Sequence, residues 1–154
     1  PVPCGTPGNH GGNMDNTRIA PGSTLYLPVF QDGAYFACGD VHACMGDGEI
    51  MVSGGEIGAK VTVKFEVVKS VTIDSPRLED GKHIYTIASD TDLEKAVYQA
   101  TKAMCKVLEK HLGYSLNEAG MLMSACGTLQ FCQVVDPERT VSMAVPKTVC
   151  DKIL

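Results

Sequence analysis

The sequence lacks the features that mark several large classes of protein. It has no run of lysine and arginine, and its formal net charge is −5, from 13 basic and 18 acidic residues. Nucleic acid is therefore not expected as the main partner, because phosphate binding needs clustered positive charge. No stretch approaches the roughly 20 apolar residues of a membrane span. No glycine-rich phosphate loop leads from a predicted strand into a predicted helix, so a nucleotide cofactor is not indicated.

Cysteine pairs with the spacing C-x-x-C are also missing, although the chain has seven cysteines. Without this spacing, the sequence has neither a zinc ribbon nor a thioredoxin-type redox motif. Most of the cysteines have apolar neighbours, as Cys105 and Cys132 do, which is typical of free buried thiols. Such cysteine usage predicts a reducing, cytoplasmic compartment.

The chain has 154 residues, of which 44% are hydrophobic, which is enough for one domain with a core of its own. Alternation is clearest at residues 59–68, where valine and phenylalanine alternate with polar side chains, as in a strand with one buried face. Alternation and short apolar runs predict strands at residues 24–30, 34–38, 50–53, 59–68, 71–73, 83–88, 128–135 and 141–145.

Two helices are predicted between the sixth and seventh of these strands. Thr91 and Glu94 form a capping box before an apolar pattern that recurs at three- and four-residue steps to about residue 111, and Gly113 ends it. Ser115 and Glu118 open a second helix to about residue 126, which is apolar on most sides and is expected to be well buried. This order predicts an α+β fold that is β-rich and mostly antiparallel, with two covering helices.

Candidate site residues are concentrated between residues 38 and 49. Asp40 and His42 are two positions apart, as are Asp47 and Glu49, so an extended backbone would point each pair to one side. The intervening glycines allow a sharp turn that would bring the pairs together. Carboxylate and imidazole ligands of this kind suit a divalent metal such as zinc. The alternative is a Gly-Asp turn between two strands.

A second polar, glycine-rich stretch at residues 9–16 favours the site interpretation. Residues 1–22 are predicted to be irregular, and a loop of that length is usually functional or disordered. Within it, Asp15 is the residue best suited to metal binding or general-base work. Asn13 is suited to orienting a ligand amide through its paired donor and acceptor. In the alternative interpretation, these residues have no role in a site and only form turns or cap local backbone groups.

These motifs resemble the acetamidase/formamidase family, and the string GD-x-H-A followed by GDGE is the most specific part of the match. The resemblance covers nearly the whole chain, through residues 11–15, 22–29, 33–34, 39–43, 46–49, 122–124, 133–137 and 145–147. Members of that family are normally about twice this long. The chain therefore looks like a C-terminal portion of such a domain, which its start at Pro1 also suggests.

The resemblance implies a cytoplasmic, homo-oligomeric hydrolase that converts small linear amides into a carboxylate and ammonia. It also implies sandwich- or barrel-like sheets and a metal site near residues 40–49. The expected metal ligands are Asp40, His42 and Asp15, with zinc as the expected ion.

The remaining roles are assigned to neighbours of these ligands. Glu49 is the expected general base, and Asp47 is either a further ligand or a group that orients the histidine. Asn13 and the backbone amides around Gly12 are expected to bind the substrate.

Two other functions are compatible with the same residues. Cys38 or Cys44 is a possible nucleophile activated by His42, because the three lie close in sequence. Alternatively, the chain is a metal-binding structural module without turnover. Alkylation of thiols would abolish activity only in the first case, and chelation only in a metal-dependent amidase.

Overall fold

The centre of the fold is a pair of long antiparallel strands flanked by shorter ones. The computed structural model describes residues 2–154. Its elements are β1 (Thr24–Tyr26), β2 (Arg77–Glu79), β3 (His83–Asp90), α1 (Leu93–Leu112), α2 (Leu116–Cys126), β4 (Thr128–Gln133) and β5 (Arg139–Pro146). The strands form one five-stranded sheet in the order β1-β2-β3-β5-β4, and every pairing is antiparallel. The predicted α+β, mostly antiparallel class is confirmed.

Helix α1 packs on the two central strands. β3 and β5 pair over their whole length, from His83 opposite Pro146 to Asp90 opposite Arg139. The helix buries a stripe of small and apolar residues against them at four-residue steps: Ala96, Ala100, Met104 and Leu108. Each large apolar side chain in such a core contributes about 1.5–3 kcal/mol. Among residues 2–154, neither helix has the length and hydrophobicity needed to cross a lipid bilayer.

The first helix ends as predicted but begins differently. Asp92, rather than Thr91, is the N-cap, since its carboxylate accepts hydrogen bonds from the backbone N–H groups of Glu94 and Lys95. The hydroxyl of Thr91 turns instead toward Asp90. At the other end, Gly113 adopts φ +71°, the left-handed conformation that commonly closes helices.

The second helix confirms the predicted capping box of Ser115 and Glu118. The expectation that it is well buried is wrong, because only Ala119 and Met123 are buried among its eleven residues. The helix rests one narrow face on α1 and leaves Met121, for example, 65% exposed.

Several predicted strands do not form. Residues 34–38, 50–53, 59–68 and 71–73 belong to no strand, and residues 24–30 form only the three-residue β1. A strand needs a hydrogen-bonded neighbour. Within the described residues, β1 pairs with β2, but residues 27–30 and the other four segments have no such neighbour. The converse holds for β2, a strand that is not among the predicted ones. It forms because β1 and β3 pair with it on both sides.

The second face of the sheet positions the loop of residues 9–16. Met14 is buried there against Leu78, Tyr85, Ile87 and Ala144. Its neighbours Asn13 and Asp15 are thereby fixed close to the sheet surface. Packing of one apolar side chain thus anchors a loop that has almost no regular structure of its own.

Candidate active site

His42 lies where two extended segments pair. It forms an isolated antiparallel bridge with Glu56, and backbone hydrogen bonds join Ala43 to Gly55 (2.8 Å) and Ile57 to Val41 (3.0 Å). The ring packs over Gly54, where an added Cβ would lie 2.6 Å from the His42 Cγ. This close approach leaves the His42 side chain only 9% exposed.

Carboxylates face both nitrogens of the His42 ring. Asp15 approaches Nδ1, with its Oδ2 3.6 Å away and its side chain 12% exposed. Glu56 and Asp40 approach Nε2, at 3.0 and 3.4 Å. Burial acts to lower the pKa of His42, but the three surrounding carboxylates outweigh it and raise the pKa. Asp15 and Asp40 therefore address opposite nitrogens of the ring rather than a common one.

Glu49 joins this group from the glycine-rich loop. Gly48 is tied to the end of β4, because its N–H donates to Cys132 and its carbonyl accepts from Val134. The backbone of Glu49 adopts φ +47°, an unusual conformation for a residue with a side chain, and the residue is 7% exposed. Unusual backbone conformations of this kind concentrate at functional sites.

Glu49 completes a compact donor set. Asp15, His42 and Glu49 each offer a ligand atom, and these atoms lie within 4.8 Å of one another; Asp40, His42 and Glu56 form a second such set. Burial raises the pKa of the Glu49 carboxyl, and the charges of Asp15 and Asp136 raise it further. Two carboxylates and an imidazole fit the ligand preferences of a divalent ion such as zinc.

Asp136 forms the edge of the site on the β4–β5 turn. Its Oδ2 accepts a hydrogen bond from the Asn13 side-chain amide at 2.9 Å. The buried side chain of Gln133 accepts hydrogen bonds from the backbone N–H groups of Val135 and Asp136, which fixes the turn. Burial raises the pKa of Asp136, as do the nearby charges of Asp15 and Asp40, although the Asn13 hydrogen bond opposes them.

Asp47 lies outside these donor sets despite its place in the motif. Its carboxylate accepts a hydrogen bond from Thr17 at 2.6 Å and pairs with Arg18 at 3.2 Å, and its side chain is 39% exposed. An open cleft of about 520 Å³ runs beside it, lined by residues that include Cys44, Asp47, Glu49 and Gly55. The cleft connects the buried Glu49 with the surface.

Gly12 shapes the loop that carries Asn13 and Asp15. It adopts φ +74°, and an added Cβ would lie 2.5 Å from the carbonyl oxygen of Thr6 and 2.8 Å from His10 Nε2. A side chain here is strained by its backbone conformation and clashes with the backbone of the preceding turn.

We expect Gly12→Ala to displace this loop and to lower stability by about 1–3 kcal/mol, the usual cost of a strained backbone residue. Urea unfolding measures this effect. Gly5→Ala is the matched control, because an added Cβ at Gly5 meets nothing within 4 Å. Equal stability of the two variants would contradict the expectation.

The structure brings together most of the residues predicted from the sequence. Asp15 and Glu49 form one donor set with His42, and Asp40 faces the ring nitrogen opposite Asp15. Asn13 is hydrogen-bonded to Asp136, and Gly12 supports the loop. Two further acidic residues were not indicated by the sequence pattern. Glu56 follows a Gly-Gly pair, and Asp136 lies between two predicted strands, so neither falls in the two polar, glycine-rich stretches. Only long-range pairing shows either of them beside His42 or Asn13.

Comparison with known proteins gives a consistent result. The model of the acetamidase/formamidase family matches residues 4–152. A curated acetamidase of Mycolicibacterium smegmatis is 38% identical over 64 residues, which cover 41% of this chain and 16% of that protein.

Two solved structures match nearly the whole chain. An acetamidase of Bacillus halodurans has a TM-score of 0.94 and 45% identity, covering 99% of this chain and 52% of its own. A predicted acetamidase/formamidase of Thermoanaerobacter tengcongensis has a TM-score of 0.94 and 43% identity, covering 97% and 50%. The chain thus spans about half the length of these solved proteins.

Proposed function

Because the chain belongs to the acetamidase/formamidase family, we propose that it carries the active site of an enzyme that hydrolyses small linear amides. The products are a carboxylate and ammonia. The observation that carries the proposal is the convergence of Asp15, His42 and Glu49, whose ligand atoms lie within 4.8 Å of one another. A curated formamidase and acetamidase among the relatives support the choice of substrate class.

We assign Asp15 and His42 Nδ1 to hold a divalent ion, with zinc as the candidate. A bound ion of this kind supplies Lewis acidity, which activates water for attack at neutral pH. Glu56 and Asp40 then act from the opposite nitrogen, where a carboxylate next to Nε2 fixes the orientation of the ring. The sequence predicts Asp40 as a direct metal ligand. In this proposal Asp40 instead holds the ligand His42 in place.

Glu49 moves the proton in this proposal. Its carboxylate accepts a proton from the water that attacks the amide carbon, and it returns that proton to the leaving nitrogen as the C–N bond breaks. The raised pKa of Glu49 supports this role, because a carboxylate with a higher pKa is a stronger base. Asn13 and the loop around Gly12 bind the amide beside it.

The geometry does not favour the alternative with a cysteine nucleophile. A nucleophile–histidine pair needs a hydrogen bond between the two side chains. Both ring nitrogens of His42 face carboxylates, and Cys38 and Cys44 are exposed. All seven cysteines are free thiols, which supports a reducing, cytoplasmic location for the enzyme.

Elemental analysis of the purified chain, combined with ammonia release from formamide and acetamide, tests the proposal. We expect about one divalent ion per chain and ammonia release that chelation abolishes and added zinc restores. Activity that survives chelation but not thiol alkylation would overturn the metal assignment in favour of cysteine. Bound metal without ammonia release would indicate a non-catalytic metal-binding module.

A further inference from the structure

Two long segments next to the site are exposed along their whole length. Every residue of 29–40 and of 56–70 is exposed, and we call these the two arm segments. They leave the site together, because Ile57 donates a backbone hydrogen bond to Val41. Farther out, the rings of Phe36 and Phe65 meet edge to face with centroids 4.9 Å apart. The segments therefore run side by side rather than as independent loops.

The arm segments expose side chains that a folded protein normally buries. The alternating set consists of Val61, Val63, Phe65 and Val67, which are between 48% and 79% exposed. Its neighbours on the other segment, Val29, Phe30, Tyr35 and Phe36, are between 45% and 82% exposed. A continuous apolar patch of this kind marks an interaction surface.

The backbone of residues 58–70, which make up most of the second arm segment, is also unpaired. Among residues 2–154, no backbone hydrogen bond involves residues 58–70, and no helix or strand includes them. Unpaired N–H and C=O groups along an alternating segment are a template for strand addition. The same segment thus presents an apolar side-chain set and a free hydrogen-bonding edge.

The solved relatives contain further polypeptide beyond the part that matches this chain. They match 97–99% of this chain with a TM-score of 0.94, so the arm segments keep the same course in them. The match uses only 50–52% of their own chains, so each contains about as much polypeptide again. A second copy of this chain would repeat the matched part and would not supply that additional polypeptide.

We propose that the two arm segments dock on a polypeptide that corresponds to the other half of these solved chains, the half that this chain does not match. Docking pairs the backbone of residues 58–70 with an extended segment of that half and buries the alternating valine and phenylalanine set. It also covers one side of the active site. Asp40 and Glu56 are residues of the arm segments that contact His42. Their side chains are 55% and 53% exposed.

Co-expression of the full chain with the half of the Bacillus halodurans acetamidase that it does not match tests the proposal. Sedimentation velocity over a dilution series measures the dissociation constant without substrate, so the result does not depend on the proposed activity. We expect a 1:1 complex that Val63→Lys weakens by about tenfold or more, because it places a charge in the buried apolar set. Thr62→Lys, on the opposite side of the segment, is the matched control and should weaken it by less than about threefold.

Three outcomes would overturn the proposal. The first is the absence of a complex when the two halves of the Bacillus halodurans enzyme do assemble under the same conditions. The second is an equal effect of Val63→Lys and Thr62→Lys. The third is self-association of the chain alone that Val63→Lys abolishes, which would make a second copy the occupant. Urea unfolding of both variants checks that the body of the fold is intact, since both positions are exposed.

Discussion

Replacing Glu49 by glutamine is expected to lower the rate of ammonia release by about 10²–10⁴-fold, the usual contribution of a positioned general base. Glutamine keeps the size of the side chain and its ability to accept a hydrogen bond, but it cannot take up a proton near neutral pH. Because Asp15 and His42 are left in place, the variant should retain its metal. Ammonia release and metal content measured on the same preparation separate the two effects.

The matched comparison for Glu49→Gln is Asp47→Asn, which makes the same chemical change two residues earlier in the loop. Asp47 is engaged by Thr17 and Arg18 at the surface, so we expect its loss to lower the rate by less than about tenfold, as for an exposed ion pair. A large loss of rate at Asp47 and a small one at Glu49 would reverse the two roles. Loss of metal from Glu49→Gln would make Glu49 a ligand.

Local signals made the helices predictable from the sequence. The three- and four-residue apolar steps of α1, the capping box at Ser115 and the left-handed glycine at Gly113 are each contained within a few residues. The start of α1 was harder to place, because Asp90, Thr91 and Asp92 all have side chains that can cap a helix. The actual hydrogen bonds decide between them, and they select Asp92.

Strands were less predictable because their partners are distant. The alternation at residues 59–68 predicts a strand with one buried face, but all of these residues are exposed and form no strand. Alternation within a segment does not say whether a neighbouring strand is present. Residues 77–79 show the opposite case, since a short polar stretch becomes a strand between two others. Pairing is a property of the whole chain, and the pattern of one segment does not contain it.

The distinction between local sequence signals and long-range pairing also applies to the candidate site. Asp40, His42 and Glu49 were found because they lie within ten residues of one another in a motif. Asp15 was found because it lies in a second polar, glycine-rich loop, and the burial of Met14 explains how that loop reaches the sheet. Glu56 enters the site through backbone pairing, and Asp136 enters through a turn that the side chain of Gln133 holds in place.

Replacing His42 by alanine should have the second large effect, because this residue belongs to both donor sets. We expect metal affinity to fall by about 100-fold or more, since loss of a partner outside the ligand shell already costs about 10–100-fold. Amide hydrolysis should fall with it. Equilibrium dialysis against zinc measures the affinity, and His83→Ala, which removes an imidazole from the sheet, is the control.

Glu56→Gln then tests how the ring of His42 is held. It keeps both nitrogens available but weakens the contact at Nε2, which is 3.0 Å long. If Glu56 only orients the ring, its loss should reduce zinc affinity by about 10–100-fold and leave the stoichiometry of one ion unchanged. A loss equal to that of His42→Ala would instead place the ion on the Nε2 side, among Asp40, His42 and Glu56. The two variants together therefore decide which nitrogen of His42 binds the metal.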